Sequence, residues 1–322
     1  MDGRVRSFFH RHALGGRARR AVGLLSDRSL LHLATNAAVG VAVVLIAIKL
    51  FAWTRTNSVS MLSSLVDSLL DAIASGVNLL AVRHALQPAD REHRFGHGKA
   101  ESIASLVQAA VIAGSAVFLL FQAAARLFQP TAVDNSLQGI VIMVISIALT
   151  SVLVALQRYA VRRTGSLAVH ADSFHYTSDI LTNLSVIVAL LLAADLGWDA
   201  ADPLFAIGIA LYILYGAWQI LTRAYDHLMD REFPDDVRAR IRAIVLANPK
   251  VMAMHDLRTR SSGVTSFMQM HIEMDGSMSL ADAHRITDEV ESALLAAFPG
   301  TEIIIHEDPV GIDEPRPNFP RA

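Results

Sequence analysis

The chain has 322 residues, of which 53% are hydrophobic, and its formal net charge is −2. A mean hydropathy of +0.40 is too apolar for an ordinary soluble protein. With no cysteine in the sequence, disulfides and thiolate metal sites are excluded and soft Cu(I) is disfavoured.

The first segment, residues 1–30, carries Arg4, Arg6, Arg11, Arg17, Arg19, Arg20 and Arg28 and no continuous apolar run. It reads as a basic cytoplasmic tail able to touch anionic lipid, not as a secretory signal. Residues 31–230 follow as a membrane domain. A bilayer core of ~30 Å takes roughly 20 mostly apolar residues per helix. Six such segments are placed, at about Leu31 to Trp53, Val59 to Val82, Glu101 to Phe128, Ser136 to Gln157, Ser166 to Leu196 and Pro203 to Thr222. Arg83, Arg91, Arg94 and Lys99 lie between the second and third spans, and Arg158, Arg162 and Arg163 between the fourth and fifth. The opposite side holds little beyond Arg55 and Arg126, and its last loop is acidic, with Asp195, Asp199 and Asp202. This Lys and Arg bias predicts that both termini are cytoplasmic, in keeping with an even number of spans.

After Arg231 the composition changes. Pro234 followed by Asp235 and Asp236 signals a helix start. The pattern predicts a helix over 235–247, strands over 250–260 and 265–274, a helix over 280–297 and a strand over 301–307. Gly263 sits in a hairpin-like connection, and Pro299-Gly300 closes the second helix. Residues 231–310 are thus expected to form a small α+β domain of order αββαβ in the cytosol, with 311–322 as a tail.

Two spans carry what hydrocarbon should exclude. The second has Asp67 and Asp71 at i, i+4, on a stripe with Ser60, Ser64, Ser75 and Asn78. The fifth has Asp172, His175, Asp179 and Asn183 on a similar period. Each Asp facing lipid at a helix centre costs ~2.5–3.5 kcal/mol, so these groups must face the bundle interior or a water-filled cavity. If the stripes face each other, Asp67, Asp71, His175 and Asp179 surround one point, a set suited to a tetrahedral divalent cation such as Zn²⁺. A proton relay would use the same residue types. Asp172 is either an aid to metal entry or a solvated mouth residue. Lys49, inside the first span, is expected to snorkel toward the outer interface.

The connection after the second span reads Asp90-Arg-Glu-His93-Arg-Phe-Gly-His97. Asp90, His93 and His97 can form a second site at the membrane surface, with glycine allowing a tight fold. A phosphate loop at Gly98-Lys99 is rejected, because no Gly lies five residues before Gly98 and Ala100 replaces the required Ser or Thr.

RFGHGKAE at 94–101, VDSLLD at 66–71 and HYTSD at 175–179 together resemble the signatures of the cation diffusion facilitator family, and of its bacterial zinc and ferrous-iron efflux branch in particular. The similarity covers nearly all of the chain after the basic tail. It implies a homodimer in the bacterial inner membrane that exchanges a divalent cation for protons. It implies that Asp67, Asp71, His175 and Asp179 form the transport site, and that Asp90, His93 and His97 form the loop site. In the cytosolic domain it implies a binuclear site built from His255, His271, His284, His306 and Asp308, which cross-links protomers or senses metal. Glu307 stands beside these ligands at a position that need not bind through its side chain.

The expected function is therefore export of Zn²⁺ in exchange for protons by alternating access, with Zn²⁺ both transported and regulatory. Fe²⁺, Cd²⁺, Co²⁺ and Ni²⁺ fit the same ligands. Partners are the ions, the bilayer and a second copy, with no nucleic acid. Two other classes stand beside this one. An intramembrane metallohydrolase would need an open metal site and a base, and no HExxH occurs. A membrane-anchored sensor would bind metal without translocating it, and would not need the two buried stripes.

Overall fold

The computed structural model describes residues 26–56, 59–128, 137–196 and 201–311. The basic tail up to residue 25 and the C-terminal residues 312–322 lie outside them, as does Asp199 of the acidic loop. Two compact units meet at residue 228, one of Leu25–Leu228 and one beginning at Met229.

The described residues of the first unit are mostly helical. Its long helices are α1 (Asp27–Thr56), α2 (Val59–Ala85), α3 (Lys99–Phe128), α4 (Leu137–Thr164), α5 (Leu167–Leu196) and α6 (Ala201–Leu228). Among the described residues, five are long and apolar enough to cross a membrane, all but α5. At 30 residues α5 matches α1 and α3 in length, but its first half carries His170, Asp172, His175 and Asp179. Pro203 falls in the first turn of α6, where a helix tolerates proline.

Small residues set the packing. Ala109 and Ala116 of α3, Ala171 of α5 and Ala217 of α6 are buried in one cluster with Ile112, Ile213 and Ile220, which lets the backbones approach closely. Gly216 of α6 goes further. The Phe174 ring of α5 fills the space a Cβ there would occupy. A second cluster joins Leu31 and Ala34 of α1, Val82 of α2, Ala160 of α4, and Ala168 and Val169 of α5. The outward faces stay apolar, with Phe118, Phe121 and Trp218 all exposed, as expected of helices bathed in lipid.

The joint between α4 and α5 is tight. Gly165 adopts φ 72°, the left-handed value a helix terminator needs, and its N–H reaches Val161 O at 2.8 Å. Ser166 immediately precedes α5. Glu101, buried at the head of α3, accepts from Ser166 Oγ at 2.9 Å and from Leu167 N at 3.2 Å. A carboxylate of α3 thus caps the helix that carries His175, where the helix dipole favours negative charge.

The second unit contains α7 (Asp235–Val245), β1 (Ala253–Ser262), β2 (Thr265–Met274), α8 (Leu280–Ala297) and β3 (Thr301–Pro309). The sheet order is β1-β2-β3, with β1 antiparallel and β3 parallel to the central β2. The αββαβ order matches the sequence expectation, with edges moved by a few residues. Along β2, Met268, Met270, Ile272 and Met274 are buried against Ile241 and Val245 of α7 and Ile286, Val290 and Leu294 of α8. Strand alternation sends His271 and Glu273 to the other face. Ser279 caps α8 by accepting Asp282 N at 3.2 Å.

Candidate metal centres

Among the described residues, three clusters of His and Asp offer ligand atoms within 4.8 Å of one another: Asp71, His175 and Asp179; Asp90, His93 and His97; and His255, His271 and Asp308.

The first lies between α2 and α5. His175 Nε2 stands 2.9 Å from Asp71 Oδ1 and 3.8 Å from Asp179 Oδ2. The two polar stripes therefore face each other. His175 is buried, and its partners are half-buried. Asp67 is not in this group. It is exposed on α2, one turn before Asp71. At 3.6 residues per turn, i and i+4 differ in direction by ~40°, enough to leave one carboxylate at the edge.

Two residues of this unit depart from expectation. Lys49 does not snorkel outward. Its Nζ donates to Ser68 Oγ at 2.6 Å and to Ser64 O at 3.1 Å, both on α2. Its ammonium acts electrostatically on Asp71, Asp179 and Asp67. Asp172 is no solvated mouth residue, since it is fully buried. Gln157 Nε2 donates to its Oδ2 at 2.6 Å, and Ser75 Oγ to its Oδ1 at 3.3 Å. Ser75 also meets the Tyr176 hydroxyl at 2.9 Å. This network ties α2, α4 and α5 together one turn from His175. Gln157 gave no sign of it in the sequence, because it lies on no stripe of ionisable residues.

The second cluster is local. Asp90 Oδ1 accepts from the backbone N–H of His93 at 2.6 Å and of Glu92 at 2.9 Å. The His93 N–H, and then that of Glu92, hold the Asp90 carboxyl below the usual carboxylate range. The imidazoles reach the same carboxylate, His93 Nδ1 at 3.3 Å from Oδ1 and His97 Nε2 at 3.3 Å from Oδ2. Gly96 at φ 75° provides the turn between them.

The third cluster is built by strand register. His255 of β1, His271 of β2 and His306 of β3 are direct cross-strand partners. Ring centroids lie 5.1 Å apart for His255 and His271, and 4.6 Å for His271 and His306. Asp308, two residues beyond His306 and so on the same face, is buried. Its Oδ2 lies 2.9 Å from His271 Nδ1 and 3.4 Å from His255 Nε2, and its Oδ1 lies 3.2 Å from His306 Nε2. Glu307, of opposite parity, turns to the helices and accepts from Thr287 Oγ1 at 2.6 Å. His284 does not join the cluster. It is exposed on α8, the helix packed against the opposite face of the sheet, 3.7 Å from Asp288. Glu273 escaped the sequence reading, yet its Oε1 lies 3.0 Å from His255 Nδ1. The signal was its parity with His271.

Long apolar helices around clusters of borderline and hard ligands define a multi-pass membrane protein built to handle divalent cations. Residues 36–229 match the family model described as the cation efflux transmembrane domain, and residues 233–310 match that of the cation efflux protein, cytoplasmic domain. A cation-efflux pump FieF of Escherichia fergusonii is 49% identical over 279 residues, covering 87% of this chain and 93% of its own. The FieF pump of Shewanella oneidensis is 48% identical over 281 residues, covering 87% and 95%. Among solved structures, a zinc form of the putative zinc transporter CzrB is 36% identical over 27% of this chain and 99% of its own, with a TM-score of 0.25. The chain belongs to the cation diffusion facilitator family, whose members are cation-efflux transporters and not enzymes.

Proposed function

We propose that this transporter exports Zn²⁺ from the cytoplasm in exchange for protons, through a site formed by Asp67, Asp71, His175 and Asp179. The observation that carries the reading is the 2.9 Å approach of His175 Nε2 to Asp71 Oδ1 across two spans. Zn²⁺ binds neutral imidazole and ionised carboxylate, so loading the site expels protons and protonation expels the metal. Histidine suits that exchange, because its ordinary pKa of ~6.5 lies near working pH. Rocking of helix groups about the site changes which side has access, and the bundle brings Asp67 in as α2 and α5 shift against each other. The same ligands take Fe²⁺, Cd²⁺, Co²⁺ or Ni²⁺.

The protein works as a homodimer with six spans in the bacterial inner membrane, residues 31–230 as the transport domain and 231–310 as the cytosolic dimerisation domain, both termini cytoplasmic. His255, His271, His306 and Asp308 hold cytosolic metal. His284, exposed and away from the sheet cluster, is free to meet an ion shared with the second copy.

A panel of divalent ions tested for flux into inverted vesicles under a proton gradient tests the transport reading. Wild type should move Zn²⁺ with proton counterflow, and Asp71→Ala should not. Binding without flux would mark a sensor, and wild-type flux from Asp71→Ala would refute the site.

A further inference from the structure

The loop cluster offers one carboxylate and two imidazoles, Asp90, His93 and His97, whereas a closed structural zinc site takes four protein ligands. A third imidazole lies beside it. His84, on the last turn of α2, has its ring centroid 4.6 Å from that of His97, with the planes at 62°. The centroid of His93 lies at the same 4.6 Å from His97. With Zn–N bonds of ~2.0–2.1 Å, two imidazoles sharing a tetrahedral ion have centroids about 5 Å apart. The histidine row of the cytosolic sheet shows the same spacing, 4.6 to 5.1 Å.

The nitrogen of His97 that faces Asp90 is Nε2, at 3.3 Å from Oδ2. The His84 side chain is exposed and so able to turn, while Arg83 beside it is bonded to Asn36 Oδ1 at 2.9 Å.

We propose that His84 is the fourth protein ligand of the loop site, closing an N₃O set for a borderline divalent cation such as Zn²⁺. Three ligands then come from the loop and one from α2, the helix that carries Asp67 and Asp71. A bound ion pins the C-terminal end of that helix to the segment leading into α3. The inference rests on the loop reading but not on the transport site.

The test uses the full-length chain in detergent, with Asp71→Ala and His271→Ala silencing the other two clusters, titrated with Co²⁺ and followed by its d–d absorption. The parent should show the intense bands of a four-coordinate site. His84→Ala should weaken binding at least about tenfold, the lower end of what losing even an outer-shell partner costs, and should shift the bands. His84→Phe keeps an aromatic edge against His97 but has no ligating nitrogen, so it should bind as poorly as His84→Ala. Parent-like affinity and spectrum in either variant would overturn the proposal, since packing alone would then account for His84. If His93→Ala also bound Co²⁺ like the parent, or the parent bound none, the loop site itself would be wrong.

Discussion

The cytosolic and intramembrane clusters use the same residue types but are assembled differently. In the sheet, ligand positions follow from hydrogen-bond register. His255, His271 and His306 stand abreast on three paired strands, and parity alone puts Asp308 with them and Glu307 against α8. A slip of one residue would send the whole set to the wrong face. Between α2 and α5 no ladder fixes the partners. Asp71 and His175 meet because two helices lie at one separation and rotation, and Asp67, one turn away, is left outside. A rigid template suits a resident ion, and a site made by helix placement suits an ion that must leave.

The sharpest break of that contrast is His175→Ala. It removes the residue that links α5 to Asp71 of α2, and flux of the transported ion should fall more than about 100-fold, beyond the range for losing an outer-shell partner. His175 belongs to the first unit and the cytosolic histidines to the second, so titration of the intact variant should retain the cytosolic sites. Wild-type flux in reconstituted liposomes would rule out the helix pair as the transport site.

The reciprocal variant is His271→Ala, which deletes the centre of the histidine row. Cytosolic metal affinity should drop about 10- to 100-fold, read by calorimetry on the full chain. The cluster of Asp71, His175 and Asp179 should still bind. Loss of binding at both would mean that the two centres are one coupled system.

How far each centre was legible follows from the same contrast. The αββαβ order and the facing stripes could be read because alternation and i, i+4 spacing are properties of single elements. The loop ligands could be read because Asp90, His93 and His97 are close in sequence. Partners supplied by other elements were not legible. Glu101 looked like the tail of a motif, yet it caps α5 through Ser166 and Leu167. Lys49 was placed outward on the general habit of long cations, yet Ser68 and Ser64 draw it inward. His284 resembled its neighbours in type, but it sits on a helix packed against the wrong face of the sheet.

Helix placement can be disturbed without touching a ligand. Gly216→Ala puts a Cβ where the Phe174 ring lies, and Phe174 is the residue before His175. Overpacking of this kind costs about 1–3 kcal/mol, so the thermal midpoint in detergent should fall and flux should drop several-fold. The cytosolic sheet should bind metal as before. Phe174→Leu in the same chain should restore much of both losses by vacating the space. If the double variant is no better than Gly216→Ala, the ring is not what the glycine accommodates.

The smallest expected effect concerns the charge beside the transport cluster. The Lys49 ammonium acts electrostatically on three carboxylates, so an incoming divalent cation approaches a site already partly neutralised. Glutamine at 49 can still donate to Ser68 Oγ and Ser64 O, which separates the charge from the tether. At an effective dielectric near 20, with its charge offset by the carboxylates it acts on, removing the ammonium should be worth on the order of 1 kcal/mol, roughly fivefold tighter metal binding. Lys49→Arg should stay close to wild type. Lys49 and the cytosolic row belong to different units, so the affinity of that row should be the same in all three proteins. Unchanged transport-site affinity in Lys49→Gln would mean that the lysine braces α1 against α2 and does not act on the ion.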